Sequence, residues 1–167
     1  FNSQNLLKIL SGLNQSATIS FDKTGTLTKS RTSQSNAYPQ ILPGTNTLLE
    51  KISAKFTKIE IISGASKKEL KELQLDDKKI EKISIADKSK REHKADIHVG
   101  DSWNDFKACK DGGIFISLPQ SIDAVAQNSH LQLTRKNDYF ADLIYLLDAA
   151  EWITNMHFYS YTIAIIY

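Results

Sequence analysis

The sequence predicts an α/β fold: a Rossmann-like three-layer α/β/α domain with a mainly parallel sheet and a long C-terminal helix. Three observations lead there. Short apolar runs alternate with segments of helical periodicity, which is the rhythm of βαβ units and not of a sandwich or a bundle. Several of the runs end on a polar residue that opens a loop, as the carboxyl ends of parallel strands do. Finally, 167 residues that are 41% hydrophobic and 24% charged can bury one sizeable core, which excludes a disordered or fibrous chain.

The elements follow in order. Residues 17–21 (ATISF) form an apolar run that ends at Asp22, and residues 29–40, rich in Ser, Thr and Asn, read as a loop or linker. A helix is predicted over 46–56, where Leu48, Leu49, Ile52 and Phe56 share one face. Residues 58–63 read as a strand ending at Ser63, and residues 67–75 as a short helix. Next come a strand over 80–85, a short helix over 88–94 and a strand over 95–100 that ends at Gly100 before Asp101. A helix over 103–110, a strand over 113–117, a helix over 121–128 and a strand over 130–134 lead into the last helix, which begins near Phe140. Asp22, Ser63 and Asp101 thus close three separate strands. In open parallel sheets ligands bind at that edge, so a hydroxyl and two carboxylates gathered there mark a candidate active site.

Composition narrows the function classes. A net charge of +2 implies no nucleic-acid partner, and the basic cluster over 88–94 reads as a solvated face. Cys109 is alone, which excludes an intrachain disulfide, and no Cys/His spacing suggests zinc. The histidines His93, His98, His130 and His157 form no ligand motif. The chain begins with Phe1 and shows no signal-peptide pattern, so it reads as a piece of something longer. Residues 156–167 contain no Asp, Glu, Lys or Arg, yet the stretch is shorter than the ~20 apolar residues a membrane helix needs.

The strongest local signal is FDKTGTLT at 21–28: a carboxylate directly after an apolar strand, entering a loop with Gly25 and three threonines. Backbone N–H groups of such a loop can cradle phosphate oxygens. Neither the GxxxxGK[ST] nor the GxGxxG phosphate loop is present. The carboxylate itself is therefore the candidate nucleophile.

DKTGTLT at 22–28 resembles, residue for residue, the phosphorylation signature of P-type cation-transporting ATPases within the haloacid dehalogenase superfamily. HVGDSWNDFKAC at 98–109 is similar to that family's VGDGxNDxxAL box, and IISGAS at 61–66 stands where the family has TGD. The resemblance implies that Asp22 accepts a phosphoryl group from ATP or another donor. It implies Mg²⁺ held by Asp22, Asp101 and the backbone carbonyl of Thr24, since this hard cation prefers oxygen ligands. Ser63 would hydrogen-bond a phosphoryl oxygen, with Thr24, Gly25, Gly64 and Asn104 also on the phosphate. Lys88, in ADK, would neutralise the transferring group. Asn104 and Asp105 would hold the ion and phosphate loops in place. Thr24 occupies the position where phosphatases of the superfamily usually carry an Asp acid/base. A threonine hydroxyl cannot shuttle protons near pH 7, which implies a lasting phosphoenzyme.

The same resemblance implies a phosphorylation domain over 1–150 and the start of a transmembrane helix over 151–167, with the remainder of a membrane transporter of the heavy-metal type as partner. The domain itself would face the cytoplasm. The chain departs from the family in three places. The nucleotide-binding insertion is missing at about 29–45, TGD has become Ser63-Gly64-Ala65, and GDGxND has become GDSWND. A positive φ at Ser102, where the family has Gly, would cost of order 1 kcal/mol. Two other readings therefore stand beside the transporter domain: a free-standing Mg²⁺-dependent phosphatase using Asp22, and a degenerate, non-catalytic remnant.

Overall fold

A computed structural model of the chain describes residues 3–29, 40–63, 83–87 and 94–166, with side chains described over 7–29, 40–62 and 94–156. Helix α1 (Ser3–Gln15) leads into β1 (Thr18–Asp22), followed by α2 (Thr45–Ser53), β2 (Lys58–Ser63), β3 (Ile83–Asp87) and β4 (Ala95–Gly100). A 3₁₀ turn (Trp103–Ala108) runs into β5 (Cys109–Ser117); α3 (Asp123–Asn128), β6 (Leu131–Gln132) and the long α4 (Tyr139–Ile166) complete the order. The six described strands make one sheet in the order β3-β2-β1-β4-β5-β6, and every neighbouring pair is parallel. This is the α/β architecture the alternation predicts.

The registers explain why the strand sequences read as they do. Ile19 pairs with Ile59 and Ile97, and Ile97 with Ile114. Side chains in register share a face, so Ile19, Phe21, Ile59, Ile61, Ile97, Val99, Ile114 and Ile116 form one apolar surface, all buried. Leu10 and Leu13 of α1, Leu48, Leu49 and Ile52 of α2, and Leu143, Leu147 and Ala150 of α4 join them in a single core. Each such side chain taken from water contributes about 2 kcal/mol. The opposite face is different in kind: Ser20 lies level with Glu60 and His98, and His98 with Phe115. All four are buried there, and Phe106 of the 3₁₀ turn stacks on Phe115 with ring centres 4.1 Å apart.

Several sequence expectations change. Helix α1 falls on residues for which the pattern suggests no element. The helix expected over 103–110 is a six-residue 3₁₀ helix that stops at Ala108, because β5 already pairs with β4 from Cys109 opposite Ala95. The strand expected over 130–134 pairs with β5 only through Leu131 and Gln132. Residues 29–40 are framed by paired backbone: Lys29 N–H donates to Gln40 O at 2.9 Å, and Thr28 bridges Ile41 antiparallel. The helix expected over 67–75, and that expected over 88–94 apart from Lys94, lie outside the described residues. Residues 151–166 continue α4 without a break, and no helix among the described residues is long and apolar enough to cross a membrane.

Asp96 ties down the start of the central strands. Its Oδ2 accepts from Ala17 N–H (2.9 Å), Thr18 N–H (2.8 Å) and Thr18 Oγ1 (2.9 Å), and its Oδ1 is paired with Lys110. Burial pushes the Asp96 carboxyl up, but the bonds from Lys110, Thr18 and Ala17 outweigh it and bring it down to about 2. A carboxylate depressed on folding stabilises above its unfolded pKa and loses that stabilisation as pH falls toward its folded one. Asp96→Asn should therefore unfold about 2 kcal/mol more readily in urea at neutral pH. The gap to wild type should close as pH falls from about 4 to about 2, and a gap independent of pH would rule out the charge as its source.

Candidate active site

Strand pairing assembles the site. Phe21 lies level with Val99 and Asp22 with Ile62, so Asp22, Ser63 and Asp101 leave neighbouring strands at one edge within a residue of each other. Strands in a sheet are about 4.8 Å apart. Asp105 enters from the 3₁₀ turn, and Asp22, Asp101 and Asp105 each present a carboxylate oxygen within 4.8 Å of the other two. Asp22 and Asp105 are buried, whereas Asp101 is partly open.

The turn after β4 fixes Asp105. Ser102 donates to Asp105 Oδ2 from its backbone N–H (2.9 Å) and its hydroxyl (2.8 Å), and Asp105 N–H returns a bond to Ser102 O at 3.1 Å. Gly100 makes the approach possible, because a Cβ there would sit 2.6 Å from that same Oδ2. Ser102 itself is extended, with φ −118°. Ser102 therefore carries no left-handed strain, and the cost that a positive φ would bring does not arise. Beneath the turn, Asp105 Oδ1 lies 4.0 Å from His98 Nε2, and His98 Nδ1 is 2.7 Å from Ser20 Oγ. The 4.0 Å gap is too long for a hydrogen bond, and His98 Nε2 makes none among the described residues. Sequence reasoning missed the Asp105 carboxylate and, beneath it, this buried Ser20–His98 pair. Its signal is a polar residue midway along each of two strands that are otherwise apolar on their flanking positions.

The loop after Asp22 is held from three sides. Gly25 has φ 84°, a left-handed turn that suits glycine. Its N–H donates to Thr28 O at 2.8 Å, while Leu27 and Thr28 N–H close on Lys23 O at 2.9 and 3.0 Å. The three carbonyls in between are taken by distant side chains: Gly25 O by Gln120 Nε2 at 2.7 Å, Thr26 O by Tyr139 Oη at 2.8 Å and Leu27 O by Thr45 Oγ1 at 3.1 Å. Burial, and then the nearby Asp101 charge, push the Tyr139 phenol up to about 12, which keeps it a donor. No local pattern could have shown these supports, since Gln120 and Tyr139 lie far along the chain from the loop.

Among the other residues expected at the site, Thr24 is exposed on the loop and Asn104 is exposed on the 3₁₀ turn. Ser63 ends β2 opposite Asp87; its side chain, and all of Gly64 and Lys88, lie outside the described residues. Cys109 is no rival nucleophile, because burial pushes its thiol up to about 11. Three converging carboxylates repel one another unless a cation or a proton joins them. An all-oxygen donor set of this kind suits a hard divalent ion such as Mg²⁺.

No protein-family model and no curated protein matches the sequence. Solved structures do. A protein described as a HAD superfamily (subfamily III A) hydrolase from Legionella pneumophila is similar with a TM-score of 0.70 at 12% identity, covering 96% of this chain and 97% of that one. The 3-deoxy-D-manno-octulosonate 8-phosphate phosphatase of Moraxella catarrhalis, solved with magnesium, phosphate and its KDO molecule, gives 0.64 at 17% identity, covering 92% and 98%. The cobalt-bound deoxy-D-mannose-octulosonate 8-phosphate phosphatase of Haemophilus influenzae gives 0.65 at 14% identity, covering 84% and 91%. At these identities the likeness defines the fold. It is a haloacid dehalogenase-like fold, a three-layer α/β domain with a parallel sheet.

Two substitutions test the geometry of the site. Gly100→Ala should displace the Asp105 carboxylate and cost about 2 kcal/mol in urea unfolding; a cost near zero would show that the turn yields freely. Tyr139→Phe leaves the Thr26 carbonyl without its donor and should cost about 1 kcal/mol at neutral pH. The buried phenol ionises later than the unfolded one, so wild-type stability should fall as pH rises from about 10 toward 12. That fall should be smaller by the tyrosine's share in Tyr139→Phe, and identical pH profiles would contradict the placement of Tyr139.

Proposed function

We propose that this protein is a Mg²⁺-dependent phosphohydrolase of the haloacid dehalogenase type, in which Asp22 takes the phosphoryl group before water removes it. The observation that carries the reading is the meeting of Asp22, Asp101 and Asp105 within 4.8 Å at the carboxyl ends of β1 and β4. The phosphatases with this fold are matched over nearly their whole length, which supports a free-standing phosphatase better than a transporter domain.

Asp22, Asp101 and the Thr24 carbonyl would hold Mg²⁺, with Asp105 positioning the turn that bears Asp101. When bound, the ion offsets repulsion between the carboxylate nucleophile and the anionic phosphate. An Asp22 oxygen attacks phosphorus, and the bond to the leaving oxygen breaks with its electron pair leaving on that oxygen. Ser63, the backbone N–H of Gly64 and the Asn104 amide would bind the phosphoryl oxygens, with Gly25 shaping the loop around them while its own N–H stays on Thr28 O, and Lys88 would neutralise their charge. Water then attacks phosphorus of the aspartyl phosphate and returns the carboxylate and inorganic phosphate. Thr24 supplies no proton to the leaving oxygen and activates no water. The reading therefore favours leaving groups that depart as stable anions, and a second step slower than the first.

The exact match of DKTGTLT at 22–28, Thr24 included, favours a second reading: the phosphorylation domain of a P-type ATPase. Incubation with Mg²⁺ and acetyl phosphate separates the two. We expect a hydroxylamine-labile adduct that Asp22→Asn abolishes, together with steady release of phosphate after an initial burst. An adduct that persists without release would favour the transporter domain. Absence of both, in folded protein whose melting temperature rises with Mg²⁺, would reject both in favour of a non-catalytic remnant.

A further inference from the structure

Large apolar side chains are exposed at six positions among the described residues: Leu7, Trp103, Ile122, Tyr145, Trp152 and Met156. Four of them lie on α1 and α4, on the helical layer behind the apolar face of the sheet. The other two, Trp103 and Ile122, lie beyond the carboxyl ends of β4 and β5, at the edge where Asp22 and Asp101 meet. The loop that carries Ile122 also carries Gln120, which reaches across to Gly25 O at 2.7 Å, so both residues flank the same mouth.

Trp103 is the better placed. It follows Asp101 by two residues, which limits their Cα atoms to about 7 Å apart. The residue opens the 3₁₀ turn that delivers Asp105. The residue is 56% exposed, yet its ring is braced from behind. The ring centre lies 5.1 Å from that of Phe106, inclined at 50°, and Phe106 stacks at 4.1 Å on the buried Phe115 of β5. A wide apolar surface held still beside a charged site is a stacking platform in search of a partner, because burying an indole face is favourable and its ordering cost has already been met.

We infer that Trp103 is the specificity-determining residue of this site and that the ester it receives is an aryl phosphate, whose ring lies on the indole while its phosphate lies on Asp22. The inference rests on the phosphohydrolase reading and deepens it. The chemistry at Thr24 agrees independently. Without an acid to protonate the leaving oxygen, the ester must release a stable anion. A phenolate, with a conjugate-acid pKa of about 10, is a far better leaving group than an alkoxide.

The experiment has a kinetic arm and a binding arm. In the kinetic arm, kcat/KM is measured with Mg²⁺ for phenyl phosphate, glucose 6-phosphate and acetyl phosphate on wild type, Trp103→Ala and Trp103→Phe. We expect Trp103→Ala to lower the ratio of phenyl phosphate to acetyl phosphate by about five-fold, chiefly through KM, and Trp103→Phe to restore most of it. Equal losses on all three substrates would mean a merely structural role, and a loss confined to glucose 6-phosphate would mean a sugar platform; either overturns the inference. In the binding arm, Trp152→Phe leaves Trp103 as the sole tryptophan of the two in the chain. Its fluorescence should be quenched by phenylphosphonate in the presence of Mg²⁺, with about five-fold tighter binding than methylphosphonate. Preference for phenylphosphonate without hydrolysis of any ester would sink the phosphohydrolase reading and leave the platform standing. Equal binding of the two phosphonates would remove the platform whatever the hydrolysis shows.

Discussion

Everything at the candidate site depends on the parallel pairing of β1 with β4. That pairing sets Phe21 level with Val99, and the next residues along, Asp22 on one side and Gly100-Asp101 on the other, have no choice but to meet. A slip of one residue would turn Asp22 into the apolar layer, since side chains alternate faces along a strand. The register is enforced from behind by Ile19, Phe21, Ile97 and Val99, which are all buried in the core. The hydrophobic face and the acidic edge are therefore one arrangement seen from two directions.

Two further constraints build on that pairing. Gly100 leaves the space that the Asp105 carboxylate fills, and Ser102 holds the carboxylate there through two hydrogen bonds. Below it, His98 and Ser20 make a polar strip through the interior, where each polar group must find a partner or cost the fold 1–3 kcal/mol, roughly. On the other side of Asp22, the carbonyls of Gly25, Thr26 and Leu27 are each claimed by a side chain from a different element. The loop is thereby held in one conformation, which orders in advance the backbone next to the Asp22 carboxylate.

The two functional readings divide along these lines. The loop sequence at 22–28 points toward a phosphoenzyme that lasts, because Thr24 offers neither acid nor base. The whole-chain likeness is to structures described as phosphatases, matched over 91% and 98% of their length. The membrane context expected of a transporter gains nothing from α4. Its first half packs on α1 and the core through Leu143, Leu147 and Ala150, and its second half continues the same helix.

Much of this was legible in the chain by itself. Apolar runs ending on Asp22, Ser63 and Gly100-Asp101 give the strands and the candidate edge, because a strand buried on both faces and ending in a polar loop leaves a local trace in hydropathy and in its last residue. The Gly25 turn is local too, since only a glycine takes φ 84° at no steric cost. What tertiary structure alone decided is everything that depends on which strands become neighbours. Strand order put β4 beside β1, turned Asp105 toward His98, shortened the expected helix at 103–110 to a six-residue 3₁₀ helix and brought Gln120 and Tyr139 onto a loop far away in sequence. Those outcomes follow from packing between segments distant along the chain, and periodicity within any one segment carries no record of its neighbours.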